Sequence, residues 1–186
     1  CMIGSSAGMR MALAQAIHHC RRRRAFGALL TDQPLMRNVL ADLAVEAEAA
    51  TIVAMRMAGA TDAATRGDHR DTMLRRIGLA ASKYWVCKRA TPHAGEAMEC
   101  LGGNGYAEDS GMPRLYREAP LMGIWEGSGN VSALDTLRAM ATRPECVDVL
   151  FDELGTTAGN DARLDAHVAA LLAAVLAALL AALLAA

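Results

Sequence analysis

Aromatic side chains are scarce: they make up 4% of the 186 residues, as two Phe, three Tyr and two Trp. No segment sustains the alternation of apolar and polar residues that marks a half-buried strand. Strands draw on β-branched and aromatic residues, so both shortages argue against a fold built on sheets. The five cysteines (Cys1, Cys20, Cys87, Cys100 and Cys146) contain no C-x-x-C pair, and their odd number and wide spacing exclude a disulfide framework and any familiar zinc spacing. Reduced thiols in a cytoplasmic protein are expected, and no metal. An excess of one charge is also missing. Nineteen Lys and Arg against twenty Asp and Glu leave a net charge of −1 and no global attraction for nucleic acid. The chain opens on Cys1 in an apolar stretch, without an initiator Met or a signal-peptide pattern, which suggests a piece of something longer.

What is present is apolar and helix-forming. Apolar residues make up 53% and charged residues 21%, which excludes global disorder and allows one substantial core. The periodicity predicts helices over 2–24, from Pro34 to about Gly59, over 72–89, from Thr91-Pro92 to Leu101, and over 128–140. Phe26-Gly27 and the polar stretch 65–71 separate the first of them. Residues 106–124 are expected to be irregular or briefly helical. The fold class is all-α, an antiparallel four-helix bundle over 1–142 with extra C-terminal helical structure over 143–186.

The last part of the chain carries no charge from Val168 to Ala186. Its leucines repeat every four residues at 172, 176, 180 and 184, with a second row at Val175, Leu179 and Leu183. The length meets the criterion for a membrane span. Ala contributes little to insertion, however, and no basic residue flanks the run, so a packed or oligomer-facing helix is the preferred reading.

Four segments exceed what a plain bundle needs. Arg21-Arg22-Arg23-Arg24-Ala25-Phe26-Gly27 ends a helix in cations, which suits either a solvated face complementing the helix dipole or a phosphorylated ligand. Gly102-Gly103-Asn104-Gly105-Tyr106 concentrates three glycines where a helix stop needs one or two, and so permits close approach of backbone to a ligand. Leu115-Tyr116-Arg117-Glu118-Ala119-Pro120 is the third segment. In Ile124-Trp125-Glu126-Gly127-Ser128-Gly129-Asn130, the fourth, a carboxylate sits between an indole and a glycine just before a helix. It is either an ordinary acidic residue near a helix start capped by Ser128, or a general base whose proton affinity an apolar neighbour would raise.

In this order the motifs R-x-x-F-G, G-G-x-G-Y, Y-R-E-A and E-G-S resemble the C-terminal helical domain of the acyl-CoA dehydrogenase family, over residues 1 to about 142. The resemblance implies FAD as cofactor and oxidation of an acyl-CoA thioester to its 2,3-enoyl form. Glu126 would take the α-proton while a β-hydride passes to the flavin. Arg23 would contact the FAD pyrophosphate with Phe26 beside it, and Ser128 and Asn130 would also touch FAD. Gly102 and Gly103 would meet the FAD of a neighbouring subunit, so self-association as a dimer or tetramer is implied. The enolate-like charge at the thioester would be met by the glutamate's own backbone N–H and a flavin hydroxyl.

Three features depart from the family pattern. The glutamine before the second helix stands one position early, as Gln33, and the glutamine before Gly102-Gly103 is replaced by Glu99, whose charge does not favour a phosphate. The I-Y-E-G-T-x-Q pattern appears as I-W-E-G-S-G-N. With D-Q-P-L-M-R before it, this variant is similar to the alkylation-response branch, whose members retain flavin, have weak dehydrogenase activity and are linked to DNA protection. That role uses a basic C-terminal region. After Cys146 this chain has only Arg163 against Asp148, Asp152, Glu153, Asp161 and Asp165, which disfavours DNA as a partner. Family members also have an N-terminal helical domain and a middle β-domain covering the flavin. Neither is present here, so the fragment alone is expected to be inactive.

Overall fold

The computed structural model describes the backbone of residues 1–184 and the side chains of residues 1–177. Its architecture is all-α. Helices α1 (Met2–Cys20), α2 (Pro34–Thr65) and α3 (His69–Glu99) are followed by a short α4 (Gly103–Tyr106), then by α5 (Met112–Met122), α6 (Gly129–Thr142), α7 (Glu145–Gly155) and α8 (Ala162–Leu184). The central element is α3, which packs against α1, α2, α5, α6 and α7.

Burial follows the helical period. Along α2 the buried residues are Leu43, Ala47, Ala50, Ala54, Met57 and Ala60, spaced three or four apart on one face. Most are alanines, which let the helix axes approach closely. Met9, Met57 and Leu74 fill the middle of the bundle together with Val86. A second cluster gathers Ala12, Cys20, Leu43, Cys100 and Met112 at one end, and a third joins Met73 and Ile77 to Ala139, Cys146 and Val147.

Several element boundaries differ from the sequence expectation. The first helix stops at Cys20, and Arg24–Ala25 pairs antiparallel with Ala28–Leu29 in a tiny hairpin. Phe26 and Gly27 at its tip both have positive φ, 52° and 84°, as a two-residue hairpin turn twisted with its strands requires. No separate helix begins at Thr91-Pro92, because α3 runs through Pro92. Proline forfeits one backbone hydrogen bond there. Ala90, His93, Ala94 and Ala97 are buried around it, so packing on both sides of the break keeps the helix whole. Within the stretch expected to be irregular or briefly helical, residues 112–122 form a helix of three turns, with Gly111 (φ 72°) turning the chain into it. Tyr84 and Trp85 lie exposed on α3.

The apolar tail is helical to Leu184. Val175 packs against the third cluster, whereas Leu171, Leu172 and Leu176 are exposed. The side chains of Leu179, Leu180, Leu183 and Leu184, on which the expected stripe also depends, lie outside the described residues. Among the described residues no helix is long and apolar enough to cross a membrane.

Candidate functional site

Glu126 sits in the short connection between α5 and α6. This connection is backbone-strained: Glu126 has φ 58° and Gly127 φ 98°, both in the left-handed region, where a non-glycine residue is uncommon. A Cβ on Gly127 would lie 2.7 Å from Val131 Cγ1, so only glycine fits under the first turn of α6. The loop rests on one face of α3. Gly129 is buried there, and a Cβ on it would meet Lys88 Cε at 2.6 Å and Tyr84 at 3.3 Å. Lys83 Nζ donates to the Gly127 carbonyl at 2.5 Å, across 44 residues of sequence.

Two cavities meet at Glu126, and Lys83 lines both. One, of about 590 Å3, runs between α3 and α6 and is walled by Arg75, Arg76, Arg138 and Arg143. Arg76 is committed to a bidentate pair with Asp135, at 2.9 and 3.0 Å. Arg138 reaches the same carboxylate only at 3.9 Å, and Arg143 reaches Glu145 at 3.7 Å. Among the described residues Arg75 has no carboxylate partner. The other cavity, of about 400 Å3, is apolar along Met2, Ile3, Ala54, Met57 and Leu79. The shelter expected of Trp125 is not provided, since it is 53% exposed and Glu126 is exposed as well. Ser128 occupies the N-cap position of α6 without a side-chain cap bond, and Asn130 is exposed within the first turn.

A third groove, of about 350 Å3, brings together Arg23, Glu99, Gly102 and Gly103 with His19 and Asn104. Gly102 adopts φ 59° and ψ −142°, open only to glycine, and nothing lies within 4 Å of a Cβ on Gly102 or Gly103. Gly105 serves packing instead, since a Cβ there would run into the Met98 carbonyl oxygen. Burial, followed by the charges of Arg23 and His18, lowers the proton affinity of His19, so Arg23 is the cation of this groove near neutral pH. Phe26 stays apart from the groove, 95% exposed at the hairpin tip. The Gln33 side chain is used internally, donating to the Ala25 carbonyl at 3.3 Å and tying the hairpin to the start of α2. Burial pushes the Cys100 thiol up to about 12 and raises that of Cys20, so these neighbours of the groove are poor nucleophiles.

Residues 1–141 match the family described as acyl-CoA dehydrogenase, C-terminal domain. The chain belongs to the acyl-CoA dehydrogenase family. The acyl-CoA dehydrogenase-like protein AidB of Escherichia coli K12 is 44% identical over 161 residues, covering 87% of this chain and 29% of that protein. Acyl-CoA dehydrogenase family member 11 of Caenorhabditis elegans is 34% identical over 142 residues, covering 75% of this chain and 23% of the relative. The crystal structure of C. elegans ACDH-11 in complex with C11-CoA superposes with a TM-score of 0.79 at 29% identity, over 86% of this chain and 28% of that one. This acyl-CoA dehydrogenase chain therefore spans less than a third of the length of these relatives.

Members of the acyl-CoA dehydrogenase family are FAD flavoproteins. Of the residues singled out in the sequence, the fold gathers Arg23, Glu99, Gly102 and Gly103 on one groove and places Glu126 at another. Sixteen residues of α3 separate Lys83 from Glu99, about 24 Å of helix at 1.5 Å per residue. Sequence reasoning missed Lys83 and the arginine wall of Arg75, Arg138 and Arg143. Their only sequence signal is cationic positions on two helices whose contact is set by the fold.

Proposed function

We propose that this chain is the C-terminal part of an FAD-dependent acyl-CoA dehydrogenase, with Glu126 as the base that removes the α-proton of an acyl-CoA thioester. The observation that carries this reading is the position of Glu126, at the junction of an arginine-walled cavity and an apolar one. Acyl-CoA has the matching chemistry, a polyanionic carrier joined through a thioester to an apolar chain. Arg75, Arg138 and Arg143 would hold the phosphates of the carrier. The trough along Met57 and Leu79 would take apolar carbon.

Among the described residues the Glu126 backbone N–H has no backbone acceptor. It is thus free to donate to the thioester oxygen as negative charge develops there. Its carboxylate would accept the proton from the adjacent carbon.

The donor set fits a dinucleotide cofactor. Arg23 supplies a guanidinium for a pyrophosphate, and the open Gly102-Gly103 turn leaves space for it, with Glu99 the one unfavourable neighbour. Bound there, FAD would supply the acceptor for the β-hydride. Because the Gly102 groove and the Glu126 loop lie far apart along α3, we assign them to two different flavins, which requires self-association of at least two copies. Phe26, Ser128 and Asn130, all exposed on this chain, would complete the flavin walls in that assembly. Residues 143–186 are assigned as an appended helical segment outside the family domain.

The protein carrying this chain, loaded with FAD, should bleach when mixed anaerobically with a short or branched acyl-CoA. Glu126→Gln should keep the yellow colour and lose the bleaching. Normal bleaching in that variant would remove Glu126 from the role.

A second reading, a DNA-protective flavoprotein with a vestigial site, is favoured by the I-W-E-G-S-G-N variant. It would show as salt-dependent duplex binding. The acidic stretch around Asp148, Asp152 and Glu153 makes a flat titration the expected result.

A further inference from the structure

We infer that Lys83 is a positioning residue for Glu126, an inference that rests on the reading of Glu126 as the base. The loop that carries Glu126 holds a rare backbone shape, with two consecutive residues of positive φ and the first not glycine. Such a shape persists only where its surroundings enforce it. On one side the α6 helix enforces it, because Val131 closes over Gly127. On the other side the ammonium of Lys83 donates to the Gly127 carbonyl, which fixes the peptide plane following Gly127 and, through it, the orientation of the Glu126–Gly127 pair. No other side-chain donor reaches the carbonyls of residues 126–129 among the described residues.

The placement of Lys83 is itself determined by the fold. It lies half-buried on α3, which is held in the bundle by Ile77 and Ala80 before it and by Val86 and Cys87 after it. The anchor is therefore on the central element of the domain, while Glu126 in the loop it holds is exposed. Lys83 borders both cavities, as Glu126 does. An ammonium group offers three donors and no acceptor, so it can serve the carbonyl and still face the cavities. A methionine at this position would keep the length and apolar stem and lose both the donor and the charge. Arginine would keep a donor and the charge.

The test uses the full flavoprotein and three variants, Lys83→Met, Lys83→Arg and Glu126→Gln. In anaerobic rapid mixing with butyryl-CoA, Lys83→Met should slow flavin bleaching at saturating substrate by tenfold or more and change the half-saturating concentration by less than threefold. Lys83→Arg should recover a substantial part of the rate. Without substrate, amide hydrogen exchange of Ser132, whose N–H donates to the Ser128 carbonyl of the loop, should accelerate at least tenfold in Lys83→Met, with the amides of α1 and α2 unchanged. Wild-type bleaching and wild-type Ser132 exchange in Lys83→Met would overturn the inference. A uniform rise in exchange over the whole bundle would also overturn it, by making Lys83 a general stability residue. If Glu126→Gln bleaches normally while Lys83→Met still loosens the loop, the function assigned to Glu126 fails and the anchoring by Lys83 stands.

Discussion

His93 of α3 is buried against Glu46 of α2, with its Nδ1 3.0 Å from a Glu46 carboxylate oxygen and its Nε2 3.1 Å from the Met9 carbonyl of α1. One imidazole thus joins the first three helices of the bundle. Arg89 closes the group by donating its Nε to the other Glu46 oxygen. Burial works against the charge of Glu46. The hydrogen bonds and positive charges of Arg89 and His93 outweigh it and hold the carboxyl below its ordinary value of 4.5.

Breaking this group should be costly, because His93 is fully buried and Glu46 largely so. His93→Leu leaves the Glu46 carboxylate without its buried partner, and a loss of about 3 kcal/mol in chemical unfolding is expected. The pH dependence has a defined sign. A carboxyl whose folded value is depressed contributes stability that is complete above its unfolded value and lost as pH falls through the folded one. Unfolding midpoints should therefore fall as pH drops below about 4.5, and Glu46→Gln should flatten that dependence.

Gly127→Ala tests the loop from the other side. The new methyl would meet Val131 and would also require φ near 98° from an alanine. A loss of about 1–3 kcal/mol is expected from strain of this kind. Bleaching by acyl-CoA should be lost with it, and the double variant Gly127→Ala/Val131→Ala should regain stability before it regains rate.

Arg138→Glu places a carboxylate in the arginine-walled cavity. The half-saturating acyl-CoA concentration should rise roughly tenfold or more, the value of one charge-assisted contact of about 1.5 kcal/mol. The limiting bleaching rate should change little. Raising the salt concentration should narrow the gap between this variant and the parent, because exposed charges are screened.

The packing of α7 depends on a charge network. Arg56 of α2 bridges Asp71 and Glu153, and Arg70 reaches Glu153 at 2.9 Å. The Arg56 hydrogen bond, more than any other influence, holds the Glu153 carboxyl below its ordinary value. These groups are partly exposed, so Glu153→Gln should cost only about 1 kcal/mol. The effect should be largest at low salt and confined in hydrogen exchange to α7 and the start of α3.

Much of the site was legible because its parts are contiguous. I-W-E-G-S places Glu126 beside the glycine that permits its loop, and G-G-N-G-Y carries its own backbone requirement. The shelter of Glu126 by Trp125 could not be judged from adjacency, because neighbours in a turn diverge, and both side chains face outward. The break at Pro92 failed for a related reason. A local penalty of about 3 kcal/mol for an interior proline was outweighed by burial on both of its flanks.

The sequence alone determined the all-α class and singled out Glu126 as the candidate base, because helical periodicity and short motifs are local properties of the chain. Only the tertiary structure decided which distant side chains meet that glutamate. Lys83, 44 residues before Gly127, and Arg75 and Arg138 on different helices acquire a shared cavity solely from the packing of α6 on α3. The three-residue spacing that buries Ile77 and Ala80 sets the rotation of α3, and with it the direction in which Lys83 points.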